Sequence, residues 1–189
     1  MLGITPAKAQ VEKYEFDTVH SQIIFFIDHL GFSISEGEFL DFDGFIEFNR
    51  DEPEKSKTEV TIETASIDMD DEKWNDHMKN KDFFNVEKYP TMTFKSTDIK
   101  VTGENTADIT GDLTILETTK PVVLKTTFRK AGKHPFGDKY AAGFSASAKI
   151  KRSDFGMNYG LPNVGDDVTI RIEVEAVRQD DNTDKTSDK

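Results

Sequence analysis

Apolar and polar side chains alternate with a period of two through most of this chain, the pattern of strands that bury one face. Tyr14 to Val19 reads as a short first strand. From Ser21 to Leu30, Ile23, Phe25, Ile27 and His29 share one face, with Ile24, Phe26, Asp28 and Leu30 on the other. Both faces are partly apolar, so a second subunit or the chain termini should pack outside. Phe39 to Asn49 follows a glycine-bearing turn and groups Gly44, Ile46 and Phe48; Thr58 to Ile67 groups Val60, Ile62 and Thr64. Thr91 to Val101, with Met92 and Phe94 inward, meets Ala107 to Leu116 through a Gly-Glu-Asn turn. The inward face of that second strand is Ile109, Gly111, Leu113 and Ile115. Thr118 to Pro121 turns the chain into Val122 to Phe128, and a loop over Ala131 to Asp138 precedes Lys139 to Lys151. There Ala142, Phe144, Ala146, Ala148 and Ile150 face inward. After a long connection from Arg152 to Asp167, Val168 to Val177 closes the domain with Val168, Ile170, Ile172 and Val174 inside. Eight or nine strands joined mostly by short turns predict an antiparallel barrel or sandwich. Alternation alone does not separate the two.

One stretch breaks the pattern. Asp71 to Asn80 has no alternation, and Trp74 and Met78 lie four apart, which predicts a short helix with both on one face. Asp70 is placed to cap it, with Asp71 and Glu72 at its positive N-terminal end. Phe83 and Phe84 follow, and Tyr89-Pro90 returns the chain to a strand. An aromatic-rich helix in a β-rich chain is either a lid over a ligand or a fixed cap on one end.

The length, 189 residues, suits one domain: residues 11–178, with 1–10 flexible and 179–189, which lacks any apolar side chain, disordered. Acids outnumber bases 36 to 24, for a formal charge of −12. That balance repels nucleic acid and anionic membrane surfaces; its plainest role is solubility. There is no cysteine, which excludes disulfides, thiol catalysis and thiolate metal sites. Fifteen Phe against one Trp and four Tyr suit a greasy interior. No apolar run is long enough to span a bilayer. Ala7-Lys8-Ala9 has the small-x-small form of a signal-peptidase site, so residues 1–10 read as a leader remnant and the protein as exported, to a periplasm.

Four separated motifs carry a family resemblance. They are Asp76 to Ser96 (DHMKNKDFFNVEKYPTMTFKS); Tyr14-Glu15-Phe16-Asp17 with His20-Ser21 and His29; Gly111-Asp112-Leu113-Thr114 with Thr119-Lys120-Pro121-Val122; and Arg152-Ser153-Asp154-Phe155-Gly156. In this order, over about Tyr14 to Val177, the chain resembles the YceI-like, polyisoprenoid-binding proteins. Glu117-Thr118 stands where that family usually has Gly-Val. The resemblance implies an all-β fold, an eight-stranded antiparallel lipocalin-like barrel with one short helix, holding an isoprenoid lipid such as a polyprenyl chain or an isoprenoid quinone. It also suggests a homodimer.

On this reading the ligand-binding side chains are the inward ones: Ile23, Phe25, Ile27, His29, Phe48, Ile62, Met92, Phe94, Leu113, Phe144, Ala146 and Ile170, with Trp74, Phe83 and Phe84 from the helical stretch. Gly44, Gly111, Ala142, Ala146 and Ala148 are small, which either leaves volume for a ligand or follows the taper of a packed barrel. Burying about 400 Å² of an apolar tail yields roughly 10 kcal/mol, of which association returns at least about 4 kcal/mol. Micromolar binding is therefore reachable without a strong polar contact. His29 is either a satisfied core histidine or a partner of the ligand head group. The four histidines, His20, His29, His77 and His134, show no H-x-x-x-H or H-x-H spacing, so no metal site is expected, and no cofactor. His20 and Ser21 are strand neighbours pointing to opposite faces, which is no nucleophile arrangement. Asp112 and Asp154 read as turn or hydrogen-bonding carboxylates, and Arg152, Lys120 and Lys125 as solvated cations or diphosphate partners. The expected function is non-enzymatic lipid carriage. Its rivals are an enzyme acting on isoprenoid or quinone-linked substrates and a closed-barrel stress-response module.

Overall fold

A computed structural model describes residues 11–179. The strands are β1 (Val11–Phe16), β2 (Gln22–His29), β3 (Ser33–Phe39), β4 (Phe42–Asn49), β5 (Lys57–Glu63), β6 (Ile67–Asp68), β7 (Thr91–Gly103), β8 (Thr106–Ile115), β9 (Thr118–Lys133), β10 (Tyr140–Lys151) and β11 (Val164–Arg178). One helix, α1 (Glu72–Lys79), lies in the connection from β6 to β7. The readings of residues 1–10 as a leader remnant and of 180–189 as a disordered tail lie outside the described residues.

The eleven strands are eight long ones, three of them broken once. β1 and β2 run consecutively along β11, with Phe16 opposite Ala176 and Gln22 opposite Glu173. β3 and β4 lie in the same way against β2 and β1, and β6 and β5 against β3 and β4. From there each strand pairs antiparallel with the next, and β11 pairs back with β1 and β2, which closes the barrel. Among the described strands, closure still leaves an unpaired edge along β3 from Ser33 to Gly37 and on the short β6. The breaks at 17–21, 40–41 and 64–66 are bridged laterally. Leu40 N donates to Ser66 O (3.1 Å), Glu63 N to Asp41 O (2.9 Å) and Asp17 N to Glu175 O (2.8 Å).

Several expectations need correction. Gly37 sits within β3, not in a turn; a Cβ there would lie 2.5 Å from Phe25 Cζ and 2.4 Å from Met69 Sδ. The polar run Ser33 to Gly37 hid this strand. The turn into β9 is at Leu116–Glu117, with Leu116 at φ 55°, and Thr118 to Pro121 are already extended, Pro121 lying opposite Asp112. Asp112 is therefore a mid-strand, outward carboxylate rather than a turn residue. Glu117 accepts a bond from Tyr89 Oη (2.9 Å), tying this turn to the end of the helical connection. The cap of α1 is Asp71, whose Oδ1 accepts from Trp74 N at 2.9 Å, not Asp70, which adopts φ 58°.

Candidate functional site: a cavity along the barrel axis

Two inward glycines are filled rather than empty. A Cβ on Gly111 would lie 2.3 Å from Phe94 Cζ, and one on Gly44 2.9 Å from Phe16 Cε2, so an aromatic ring packs against each of these backbones. Ala142 is buried with Tyr14 and Ala176, and Ala148 is in the main core. Of the small residues expected to make room, Ala146 is the one on the wall of a cavity. That cavity has a volume of about 590 Å³, inside the range of about 300–1,000 Å³ common for small-molecule sites.

Its middle is apolar, with Ile23, Phe25, Ile62, Phe94, Leu113, Ala146 and Ile170 on the wall. Under α1 it is lined by Ile27, His29, Trp74, Phe83, Phe84 and Met92, and at the opposite end by Phe48 and Phe144. The twelve strand side chains named as ligand-binding and the three from the helical stretch all line this one cavity, whereas Gly44, Thr64, Gly111, Ala142 and Ala148, also placed inward, do not. Sequence reasoning missed Met69, Met78, Phe128, Met157 and Tyr159, which also line it. Phe128 was in view as the last residue of a strand read too short; β9 continues to Lys133.

At the α1 end the wall is made of stacked rings. His29 lies 5.8 Å from Trp74, His77 lies 5.0 Å from Phe83 and 5.2 Å from Tyr159, and Phe39 meets Phe84 edge-on at 5.5 Å. Beneath them Arg152 is only 4% exposed. Its Nε donates to Gly165 O (2.7 Å), Nη1 to Met157 O (3.0 Å) and Nη2 to Val164 O (3.1 Å). It is neither solvated nor free, as the sequence reading had it, but pins the connection that carries Met157 and Tyr159. Burial lowers its pKa, opposed by the Asp166 charge. Lys120 and Lys125 are exposed.

The opposite end has a different chemistry. Phe48, Phe128 and Phe144 form a triangle with centroids 5.4–5.5 Å apart. Beside them Arg50 Nε donates to Glu12 Oε2 (2.7 Å) and its Nη2 to the hydroxyls of Tyr14 and Tyr140 (3.1 Å each). Arg178 donates to Glu12 Oε1 (3.0 Å) and stacks 4.3 Å from the Tyr140 ring. Burial alone would raise the Glu12 pKa, but the bonds from Arg50, Tyr14 and Arg178 outweigh it and hold the carboxyl below its ordinary value.

His20 and Ser21 do not reach the cavity. Ser21 Oγ is buried and bonded to the Glu175 main chain (3.1 and 3.2 Å), while His20 is exposed with Nδ1 3.1 Å from Asp17 Oδ2. On the outer face of β2, Ile24 is buried and the Arg171 guanidinium covers the Phe26 ring at 5.6 Å. Among the described residues no helix is long and apolar enough to cross a membrane.

Fold and site together define a closed, lipocalin-like antiparallel barrel with a greasy axial cavity. The profile of the YceI-like domain matches residues 14–176, and the chain belongs to that family. It is 42% identical over 179 residues to a UPF0312 protein of Azotobacter vinelandii, covering 95% of this chain and 93% of that one. Its fold superposes on the crystal structure of BcnA from Burkholderia cenocepacia with a TM-score of 0.77 at 27% identity, over 85% and 98% of the two chains. A polyisoprenoid binding domain from Saccharophagus degradans shares the fold alone, with a TM-score of 0.69 at 12% identity over 88% and 98%.

Proposed function

We propose that this chain binds an isoprenoid lipid, a polyprenyl chain or the tail of an isoprenoid quinone, and carries or stores it without chemical change. The observation that carries the reading is the axial cavity, apolar in its middle and about 590 Å³ in volume. Each buried carbon of a prenyl chain contributes about 0.8 kcal/mol, so three isoprene units supply about 12 kcal/mol against an association cost of at least about 4 kcal/mol. Support comes also from the family and from the polyisoprenoid ligand named for the structural neighbour. The polar side chains on the wall favour a binder over an enzyme, because His29, His77 and the carbonyl-bonded Arg152 sit at one end and Arg50, Lys57 and Glu104 at the other. We place the protein in the periplasm, where a carrier of lipids between membranes is needed. Leu30, Phe32 and Ile34, exposed around the β2–β3 turn, suit contact with a second copy, and light scattering of the eluting protein tests that dimer.

The function is tested by extracting the natively purified protein with organic solvent and weighing the extract by mass spectrometry. A prenyl lipid at near one per chain is expected. Ala146→Phe should lose that lipid while the lipid-free protein melts within a few degrees of its parent. A parent without prenyl lipid that also fails to take up added polyprenol overturns the proposal.

A further inference from the structure

The geometry points to a binding site for a divalent transition metal on the outer wall of the barrel, at the seam where β11 meets β1 and β2. Its ligands are Asp17 and His20 from the break between those strands, Glu175 from β11 and His134 from the β9–β10 connection. Asp17, His20 and Glu175 each offer one ligand atom, all within 4.8 Å of one another. His20 Nδ1 stands 3.1 Å from Asp17 Oδ2, and His134 Nε2 stands 3.4 Å from Glu175 Oε1. Donors held at about 2.0–2.2 Å around a tetrahedral zinc ion are separated by about 3.3–3.5 Å. The His134–Glu175 pair is thus spaced as one edge of such a tetrahedron and the His20–Asp17 pair is slightly closer than one; His134 stands outside the three-residue group, so its ring and that of exposed His20 must both turn inward to complete the set.

The backbones that present these groups are fixed. Glu175 is held by Ser21 Oγ through both N and O, and by Asp17 N at its carbonyl (2.8 Å). Val19 N donates to Asp17 Oδ1 (3.2 Å), which leaves Oδ2 aimed at the cluster. His134 Nδ1 accepts from Phe136 N (3.1 Å) and lies 2.9 Å from the Phe136 carbonyl; with Nε2 on a metal, a proton on Nδ1 turns to that carbonyl in place of the Phe136 N–H bond, the kind of outer bond that orients metal-binding imidazoles. Two imidazoles with two carboxylates favour zinc, nickel or copper over magnesium or calcium. No short spacing in the sequence signals the set, because its members come from three distant segments. A bound ion would clasp the 17–20 break, β11 and the β9–β10 connection together, adding a cross-link at the point where the barrel closes.

The experiment is calorimetric titration of the tag-free protein with zinc chloride, with magnesium chloride in parallel. One zinc per chain is expected, with a melting temperature that rises as the site fills. His20→Ala and His134→Ala should each weaken zinc by at least about tenfold. His134 lies outside the strands, so its variant tests the site even if His20→Ala disturbs the seam. Lys139→Met, which removes an ammonium acting on Asp17, should tighten it. The proposal is overturned by zinc binding weaker than about 100 µM, by magnesium binding equally well, or by affinity kept within about twofold in the His20→Ala/His134→Ala double variant.

Discussion

The two ends of the cavity are held together by different forces. At the α1 end, rings meet rings: His77, Phe83 and Tyr159 contact one another at 5.0–5.3 Å, and Trp74 meets His29. Such contacts are worth about 0.5–1.5 kcal/mol each and tolerate sliding. At the other end, Glu12, Tyr14, Arg50, Tyr140 and Arg178 are joined by directional, charge-assisted bonds that a small displacement would break. The difference is one of stiffness: ring contacts under the helix can slide, whereas the bonded end is fixed in direction, and there exposed Lys57, Gly103, Glu104, Asn105 and Thr106 also line the cavity.

The largest effect should come from the one strong anchor on the helix side. Arg152→Ala removes the donor from the buried Met157 carbonyl and the half-buried Val164 and Gly165 carbonyls and should cost about 3 kcal/mol in denaturant unfolding. A loss below about 1 kcal/mol would mean that the connection carrying Met157 and Tyr159 does not depend on this guanidinium. At the other end, Arg50→Met removes the bonds to Glu12, Tyr14 and Tyr140 and should cost about 1–2 kcal/mol, the group being partly solvated. If the loss is near zero, the claim of a locked end fails.

Acid sharpens the same contrast. The Glu12 pKa is lowered on folding, so its contribution is present above the unfolded carboxylate value of about 4.3 and fades as pH falls through the depressed folded value. Parent protein should therefore lose stability in acid more steeply than Arg50→Met, and parallel curves would disprove that coupling. The smallest effect is spectroscopic. Trp74, the sole tryptophan, lies on the cavity wall under α1, and its emission should shift as polyprenol is added. An unchanged spectrum at saturation would favour a helix that is a fixed cap.

Much of this was legible beforehand, for a physical reason that differs by element. Strands whose one face must be buried write that fact every second residue, so Ile23, Phe25, Leu113, Phe144 and Ile170 could be assigned to the interior from alternation alone. Ser33 to Gly37 could not, because its apolar surface is supplied by Phe25 lying over Gly37 rather than by its own side chains. Arg152 looked like a solvated cation because its partners are main-chain carbonyls, which no side-chain pattern reveals. The volume of the cavity was misjudged in its origin. Gly44 and Gly111 promise space in the sequence, yet in the barrel they are the beds for Phe16 and Phe94.

What the sequence determined by itself is local and periodic: the strands, the single amphipathic helix after Asp71, and which side chains turn inward. These follow from the pleat of a strand and the turn of a helix, which act over a few residues. Only the tertiary structure decided that three strands break in register, that the sheet closes on itself, and that Glu12 meets Arg50 and Arg178, or Asp17 meets Glu175. Those contacts join residues up to 166 positions apart. They depend on the shear and tilt of the closed barrel, a property of all eight strands together that no single segment encodes.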